Sequence, residues 1–567
     1  MSAMPAQPFE TGPQSPLWPA ADPGDLALPE GNLALGLIRA AAAFAESPAM
    51  HYYGARYSYG RLLADVERLA GFLAAQGLGR GGRVLIDLQN GPQFIIAFYA
   101  VLRANGVVVP LNPMNTAEEI AYFAEDSGAR LAIVGEELLD RFTPLLGTAL
   151  DHVVRVRYAD MAAPDPGDRL PAVMTAPPPG PAAGCTDLMA ALSLGHAPPD
   201  LLAGSADLAV LPYTSGTTGR PKACMHTHAG AQFVAKAQVA WYRLDRQSVM
   251  TSFMPLFHVA GMMASMAAGI YAGAALILMT RWDAEAIPAL FRRHRPTWWS
   301  AAPTMIVDVL AAPGFADDCF ASLRVVTGGG ASMPAAIATR LRERWGLRFC
   351  EGYGLTETIS ATHINPLDHP KPQCLGLPIY NTRARVVEPE TLAPLPPGGL
   401  GEILVSGPQI MAGYWRHPAA SAEALVERDG RVWLRTGDLG YVDAEGCYFI
   451  VDRIKRMINL GGFKVWPAEC EMLLYRHPAV MECAVIAAPD PRRGETVRAV
   501  IALHPEFRGQ VTEADIIAFA RDTMAAYKVP RQVVFREALP RSGTRKIDWR
   551  SLQAEAWAAD AAEPARR

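Results

Sequence analysis

Three observations predict an α/β protein with a large N-terminal domain of parallel α/β subdomains plus a β-rich subdomain, followed by a small α+β C-terminal domain. Apolar runs alternate with helix-period segments from residue 62 onward, and strands separated by helices pair in parallel. After about residue 375 the texture changes to short strands broken by turns. The 567 residues also exceed what one hydrophobic core organises, so two or three domains are expected.

The elements follow in order. Residues 1–30 are Pro-rich and read as irregular. Residues 62–75 have helical spacing, 84–88 read as a strand, 92–104 as a helix, 107–110 as a strand, 117–126 as a helix and 131–134 as a strand. Residues 159–200, rich in Pro, Ala and Gly, read as a long irregular excursion. Residues 207–212 form a short apolar strand, and a helix is expected over roughly 229–244. Residues 324–327 and 347–350 continue the alternation. The β-rich part holds strands at 383–387, 401–405, 433–435 and 447–451. Beyond 470, strands at 483–487, 497–503 and 532–535 flank a helix at 513–526, and Asp452–Arg456 is the linker between the two textures.

Composition narrows the function. Half the residues are hydrophobic, 19% are charged and the net charge is −4, with no basic run to bind nucleic acid. The eight cysteines are scattered without a Cys-x-x-Cys pair, which argues against a metal site or disulfide scaffold and for a reducing, cytoplasmic location. The N-terminus carries Glu10 and several prolines and lacks a basic-then-apolar signal. Residues 259–279 carry no charge and are long enough to cross a bilayer. Three glycines and the missing basic flank favour a buried helix running into a buried strand, so no membrane insertion is expected.

The most informative run is Tyr213-Thr-Ser-Gly-Thr-Thr-Gly-Arg-Pro-Lys222. Its hydroxyls, two glycines and ammonium concentrate donors around an anion, and a polyphosphate is the expected ligand. Arg220 and Pro221 separate Gly219 from Lys222, so this is not the Gly-Lys-Ser/Thr nucleotide loop. A loop between a strand and a helix is its expected setting. Further motifs stand at long range: Thr327-Gly-Gly-Gly-Ala-Ser-Met-Pro334, Gly352-Tyr-Gly-Leu-Thr-Glu-Thr358, Thr436-Gly-Asp438, Asp452-Arg453, Gly461-Gly-Phe463 and Pro540-Arg-Ser-Gly-Thr-Arg-Lys-Ile547.

In this order the motifs resemble the adenylate-forming superfamily of acyl- and aryl-CoA ligases, peptide-synthetase adenylation domains and beetle luciferases. The resemblance covers roughly residues 35–550. It implies ATP-dependent activation of a carboxylic acid to acyl-AMP with release of pyrophosphate, then transfer to coenzyme A, with Mg²⁺ as the metal. It also implies domains at 1–452 and 457–567, a hinge at 453–456 and a mobile small domain.

Residue by residue, the resemblance assigns Thr214, Ser215, Gly216, Thr217, Thr218, Gly219 and Lys222 to the β- and γ-phosphates. Thr356 becomes the α-phosphate contact and Glu357 the Mg²⁺ ligand, a role that suits a hard cation keeping most of its waters. Tyr353 stacks on adenine, beside Gly354, while Gly330, Ala331 and Ser332 line the adenine and acyl side. Asp438 and Arg453 hold the ribose hydroxyls, Lys455 is the pivot, Gly461 and Gly462 flank the CoA path, and Lys546 is the mobile catalytic lysine. Arg545 stands where the family most often has Gly. His258 is similar to the gate beside the acyl carboxylate; Met262, Met263 and Met266 after it are either core or acyl-pocket lining.

An apolar medium- or long-chain fatty acid is the expected substrate. An aryl or branched acid is the alternative, as is delivery of acyl-AMP to a separate carrier protein. The partners are small molecules, and the chain is a monomer or homodimer.

Overall fold

The computed structural model describes residues 15–19, 24–165, 167–177, 180, 182–214, 220–329, 333–460, 463–490, 494–541 and 547–561. The chain divides into two compact units. One comprises Met1–Arg385, Leu404–Arg435 and Asp443–Tyr448; the other comprises Val386–Ile403, Thr436–Val442 and Phe449–Arg567. This division marks compactness, whereas the hinge expected at 453–456 is a statement about motion.

The larger unit contains two parallel-cored sheets. One is ordered His226–Thr227, Leu208–Val210, Val107–Pro110, Arg83–Asp87, Leu131–Gly135, His152–Val156 and Cys185–Asp187. Only the His226–Thr227 pairing is antiparallel. The strands are short and apolar because helices cover them; Pro92–Arg103 is buried at every residue but its last. The strand Cys185–Asp187 corrects the expectation of an irregular excursion over 159–200. That strand holds only three residues, too few for a periodic signal, and pairs with His152–Val156 through tertiary register.

The other sheet has nine strands. Six of them, Phe349–Leu355, Val325–Gly329, Trp298–Ser300, Val249–Ser252, Ala275–Leu278 and Pro48–Tyr52, are joined in parallel. Ser360–Ile364 and Leu377–Pro378 continue one side antiparallel, and Ala55–Ser58 closes the other. The uncharged stretch 259–279 is resolved as expected: a π-helical Ala260–Ala267 and an α-helical Ala268–Ala272 end at a left-handed Gly273 and run into the buried strand Ala275–Leu278. No helix among the described residues is long and apolar enough to cross a membrane.

In the smaller unit, Val480–Asp490 and Gly494–Leu503 form a long antiparallel pair. Gln532–Phe535 joins it in parallel. Both sheet faces are apolar, and the alternation shows it: Cys483, Val485 and Ala487 belong to the core with Leu474 of the helix Pro467–Leu474, whereas Ala484 and Ile486 belong to the core with Leu552 of Trp549–Ala561. Within the larger unit, Leu425–Arg428 also pairs antiparallel with residues 431–434.

Candidate active site

The run 213–222 follows the strand Leu208–Val210 and precedes the helix His228–Trp241, with a short strand at each of its ends. Tyr213–Thr214 pairs antiparallel with Lys222–Ala223, so these two short strands form the ladder of a hairpin. Thr214 and Lys222 face each other across the ladder. Proline at position 221 presets φ, which suits a strand entry, and the helix His228–Trp241 begins only after a second short strand, capped by the Thr227 hydroxyl. Ser215, Gly216, Thr217, Thr218 and Gly219 lie outside the described residues, as do Gly330, Ala331, Ser332, Gly461, Gly462 and Lys546 with its neighbour Arg545.

The base of the hairpin is anchored on the helix Ala117–Ser127, whose start is fixed by a Thr116/Glu119 capping box. Tyr213 donates its hydroxyl to Asp126 (2.6 Å), and Tyr122 donates to the Pro221 carbonyl (2.8 Å).

Thr356 and Glu357 open a single turn, Thr356–Thr358, directly after the strand Phe349–Leu355. Gly354 is required there, since a Cβ would collide with the Ser360 carbonyl oxygen. At the end of the turn Ile359 adopts φ +48°, a left-handed conformation that a β-branched side chain resists. Such strain persists only where the surroundings over-determine it. The Thr358 hydroxyl accepts from Leu355 N (2.9 Å) and donates to Ser360 O (2.8 Å), and Met411 N donates to the Glu357 carbonyl (2.8 Å).

Two residues that the sequence reading missed tie this turn to the hairpin. His226 Nε2 donates to the Thr356 carbonyl at 2.7 Å. Burial lowers its pKa to about 4, so the imidazole is neutral and its proton is on Nε2. Tyr414 donates its hydroxyl to Glu357 Oε1 at 2.8 Å, while the Lys222 ammonium lies 5.4 Å from the centroid of its ring. Burial and the Glu357 carboxylate both push the Tyr414 pKa up, which keeps it a donor. The available signals were a His-x-His after the loop and a Gly-Tyr-Trp at 413–415, and neither says what it touches.

The other predicted residues fall as follows. Tyr353 is 9% exposed, with its ring 5.6 Å from that of the fully buried His363. Asp438 is fully buried and paired with Arg453 Nε at 2.9 Å, so these two are brought together. Lys455 lies in the turn Ile454–Arg456. Just before that turn, Asp452 accepts from Arg453 N (2.7 Å) and Ala468 N (2.6 Å).

His258 is exposed at the mouth of the apolar helix, and its Nδ1 accepts from Ala260 N (3.3 Å). The loop before it is clamped by the buried Asn90, which donates to Met254 O and accepts from Leu256 N, each at 2.9 Å. Met262, Met263 and Met266 expose no surface. A cavity of ≈ 470 Å³ elsewhere in this unit is lined by charged side chains (Arg169, Arg281, Asp283) and apolar ones (Leu170, Met279, Trp282) alike, and none of Met262, Met263 and Met266 lines it.

Among the described residues no cluster of three or more His, Cys, Asp or Glu side chains is arranged to hold a metal. Glu357, a hard, half-buried carboxylate, fits the kind of site in which Mg²⁺ is held by one carboxylate, waters and substrate phosphates.

The AMP-binding enzyme family matches residues 37–415, and its C-terminal domain matches residues 469–546. A long-chain-fatty-acid–CoA ligase from Bacillus subtilis (strain 168) is 33% identical over 562 residues, covering 95% of this chain and 97% of that protein. A feruloyl-CoA synthase from Amycolatopsis sp is 34% identical over 512 residues, covering 90% and 96%. The ATP-bound crystal structure of MatB from Rhodopseudomonas palustris superposes with a TM-score of 0.81 at 28% identity, covering 92% of this chain and 99% of that one. The chain belongs to the AMP-binding, adenylate-forming enzyme family and is an AMP-forming acyl-CoA ligase.

Proposed function

We propose that the enzyme activates a medium- or long-chain fatty acid. A carboxylate oxygen attacks the α-phosphate of ATP, pyrophosphate leaves, and the acyl-AMP is then cleaved by the thiol of coenzyme A, which loses its proton as AMP departs. The observation carrying the choice of acid is the buried, uncharged segment 259–279 directly after His258, which offers no cation for a second carboxylate. The fatty-acid ligase relative supports the same reading. The feruloyl-CoA synthase relative, equally similar, favours an aryl acid as the second reading.

In this proposal the hairpin residues from Thr214 to Lys222 bind the β- and γ-phosphates, and Thr356 contacts the α-phosphate. Glu357 would hold Mg²⁺, which supplies charge neutralisation on the phosphate oxygens. The fixed donors matter because negative charge gathers on those oxygens in the transition state. Asp438 accepts from the ribose hydroxyls, oriented by Arg453. Lys546 neutralises charge in adenylation only, and the small domain, 457–567, turns about Lys455 between the two half-reactions.

The test is an acid panel with ATP, Mg²⁺ and CoA. AMP and pyrophosphate should appear, with the highest kcat/KM for a medium- or long-chain acid. ADP as the nucleotide product would refute the reaction, and a preference for hydroxycinnamate-type acids would select the aryl reading.

A further inference from the structure

Lys222 and Glu357 carry opposite charges and both lie against Tyr414, yet neither forms a salt bridge within 4.0 Å among the described residues. Tyr414 touches both. Its hydroxyl is on Glu357 Oε1 at 2.8 Å, and its ring centroid lies 5.4 Å from the Lys222 ammonium. Backbone contacts on two sides fix the segment that carries the ring. Trp415 N donates to Ala223 O (2.8 Å), Cys224 bridges Tyr414 antiparallel, and Met411 N donates to Glu357 O (2.8 Å). Tyr414 N donates to the Ser421 hydroxyl at 2.8 Å, which fixes the residue itself.

We propose that Tyr414 is a positioning residue for the metal–triphosphate. Its ring keeps Lys222 and Glu357 from neutralising each other, and its hydroxyl orients the Glu357 carboxylate. A direct Lys–Glu pair would have to be broken each time a phosphate and its cation entered. A neutral ring removes that competition while its π face keeps the ammonium close. A hydroxyl bonded to one carboxylate oxygen orients the group as outer-shell partners orient metal ligands, and losing such a partner typically lowers metal affinity about 10–100-fold. The inference rests on the proposed phosphate and metal roles of Lys222 and Glu357.

The test compares wild type, Tyr414→Phe and Tyr414→Leu. Mn²⁺ binding in the presence of ATP is followed by electron paramagnetic resonance, and ATP binding by calorimetry with and without Mg²⁺. Tyr414→Phe should weaken the metal about tenfold and leave metal-free ATP binding unchanged. Tyr414→Leu should also weaken metal-free ATP binding, because Lys222 and Glu357 can then pair. Both variants should convert supplied acyl-AMP and CoA to acyl-CoA at the wild-type rate, since that step needs no triphosphate. In a Glu357→Gln background, Tyr414→Phe should cost nothing further.

Unchanged or tighter metal binding in Tyr414→Phe overturns the proposal, as does an equal loss of both half-reactions. If wild type releases no AMP and pyrophosphate from any acid while Tyr414→Phe still weakens Mn²⁺–ATP, the proposed reaction fails and the positioning role stands.

Discussion

Two places to which nucleotide contacts are assigned handle charge in opposite ways. In the larger unit, Lys222 and Glu357 are held apart across Tyr414 and left without ion-pair partners among the described residues. In the smaller unit, Asp438 and Arg453 already pair at 2.9 Å, with the aspartate fully buried. On the proposed assignment the difference follows what each place would receive. A triphosphate with its cation brings charge of both signs, and open groups of both signs would meet it. A ribose is neutral, so a carboxylate that accepts from its hydroxyls must be stabilised beforehand, and the guanidinium does this.

The comparison has a kinetic consequence. The ribose is present in ATP and in acyl-AMP, whereas pyrophosphate and its metal are present only before the first half-reaction ends. Glu357→Ala should therefore lower adenylation by about 10²–10³ and leave thioester formation from supplied acyl-AMP intact. Pyrophosphate exchange and acyl-AMP consumption, measured on one preparation, check this; equal losses would erase the distinction between the two places.

Asp438→Asn should weaken both half-reactions, roughly 10–100-fold in kcat/KM, because the nucleoside is held throughout. A loss confined to adenylation would place Asp438 on the phosphate side.

The third prediction concerns the apolar helix beside His258. Met263 exposes no surface, so Met263→Trp should overpack its surroundings and cost about 1–3 kcal/mol. Melting temperature measured beside a chain-length profile decides: a shortened acid preference with unchanged melting would assign the methionines to the acyl pocket.

The smallest effect is a pH effect on the phosphate side. Burial lowers the pKa of His226 from 6.5 to about 4. Below pH 6.5 the unfolded chain takes up this proton and the folded chain does not, so stability falls as the pH drops from 6.5 towards 4. At pH 5.5 the loss from this group is on the order of 1 kcal/mol. His226→Gln, whose amide can still donate to Thr356 O, should show a correspondingly flatter decline of melting temperature between pH 7 and 5.5. Parallel declines would show that His226 ionises while folded.

Much of this was legible in the chain. The strand 107–110 and the helix starting at Pro92 lie where periodicity puts them, because each is a continuous apolar run whose neighbours are turn residues. The order of the motifs carried the resemblance to the adenylate-forming family, and glycine, hydroxyl and ammonium are groups that suit a phosphate. What sequence alone could not supply was everything set by partners distant in the chain. The two ends of the run meet because Lys222–Ala223 pairs with Tyr213–Thr214. His226 reached Thr356 across 130 positions, and Tyr414 reached Glu357 across 57. Local propensity and periodicity act over a few residues, so they determine which elements form. Which side chain meets which carboxylate is decided by the packing of elements that carry no sequence mark of each other, and only the tertiary structure settles it.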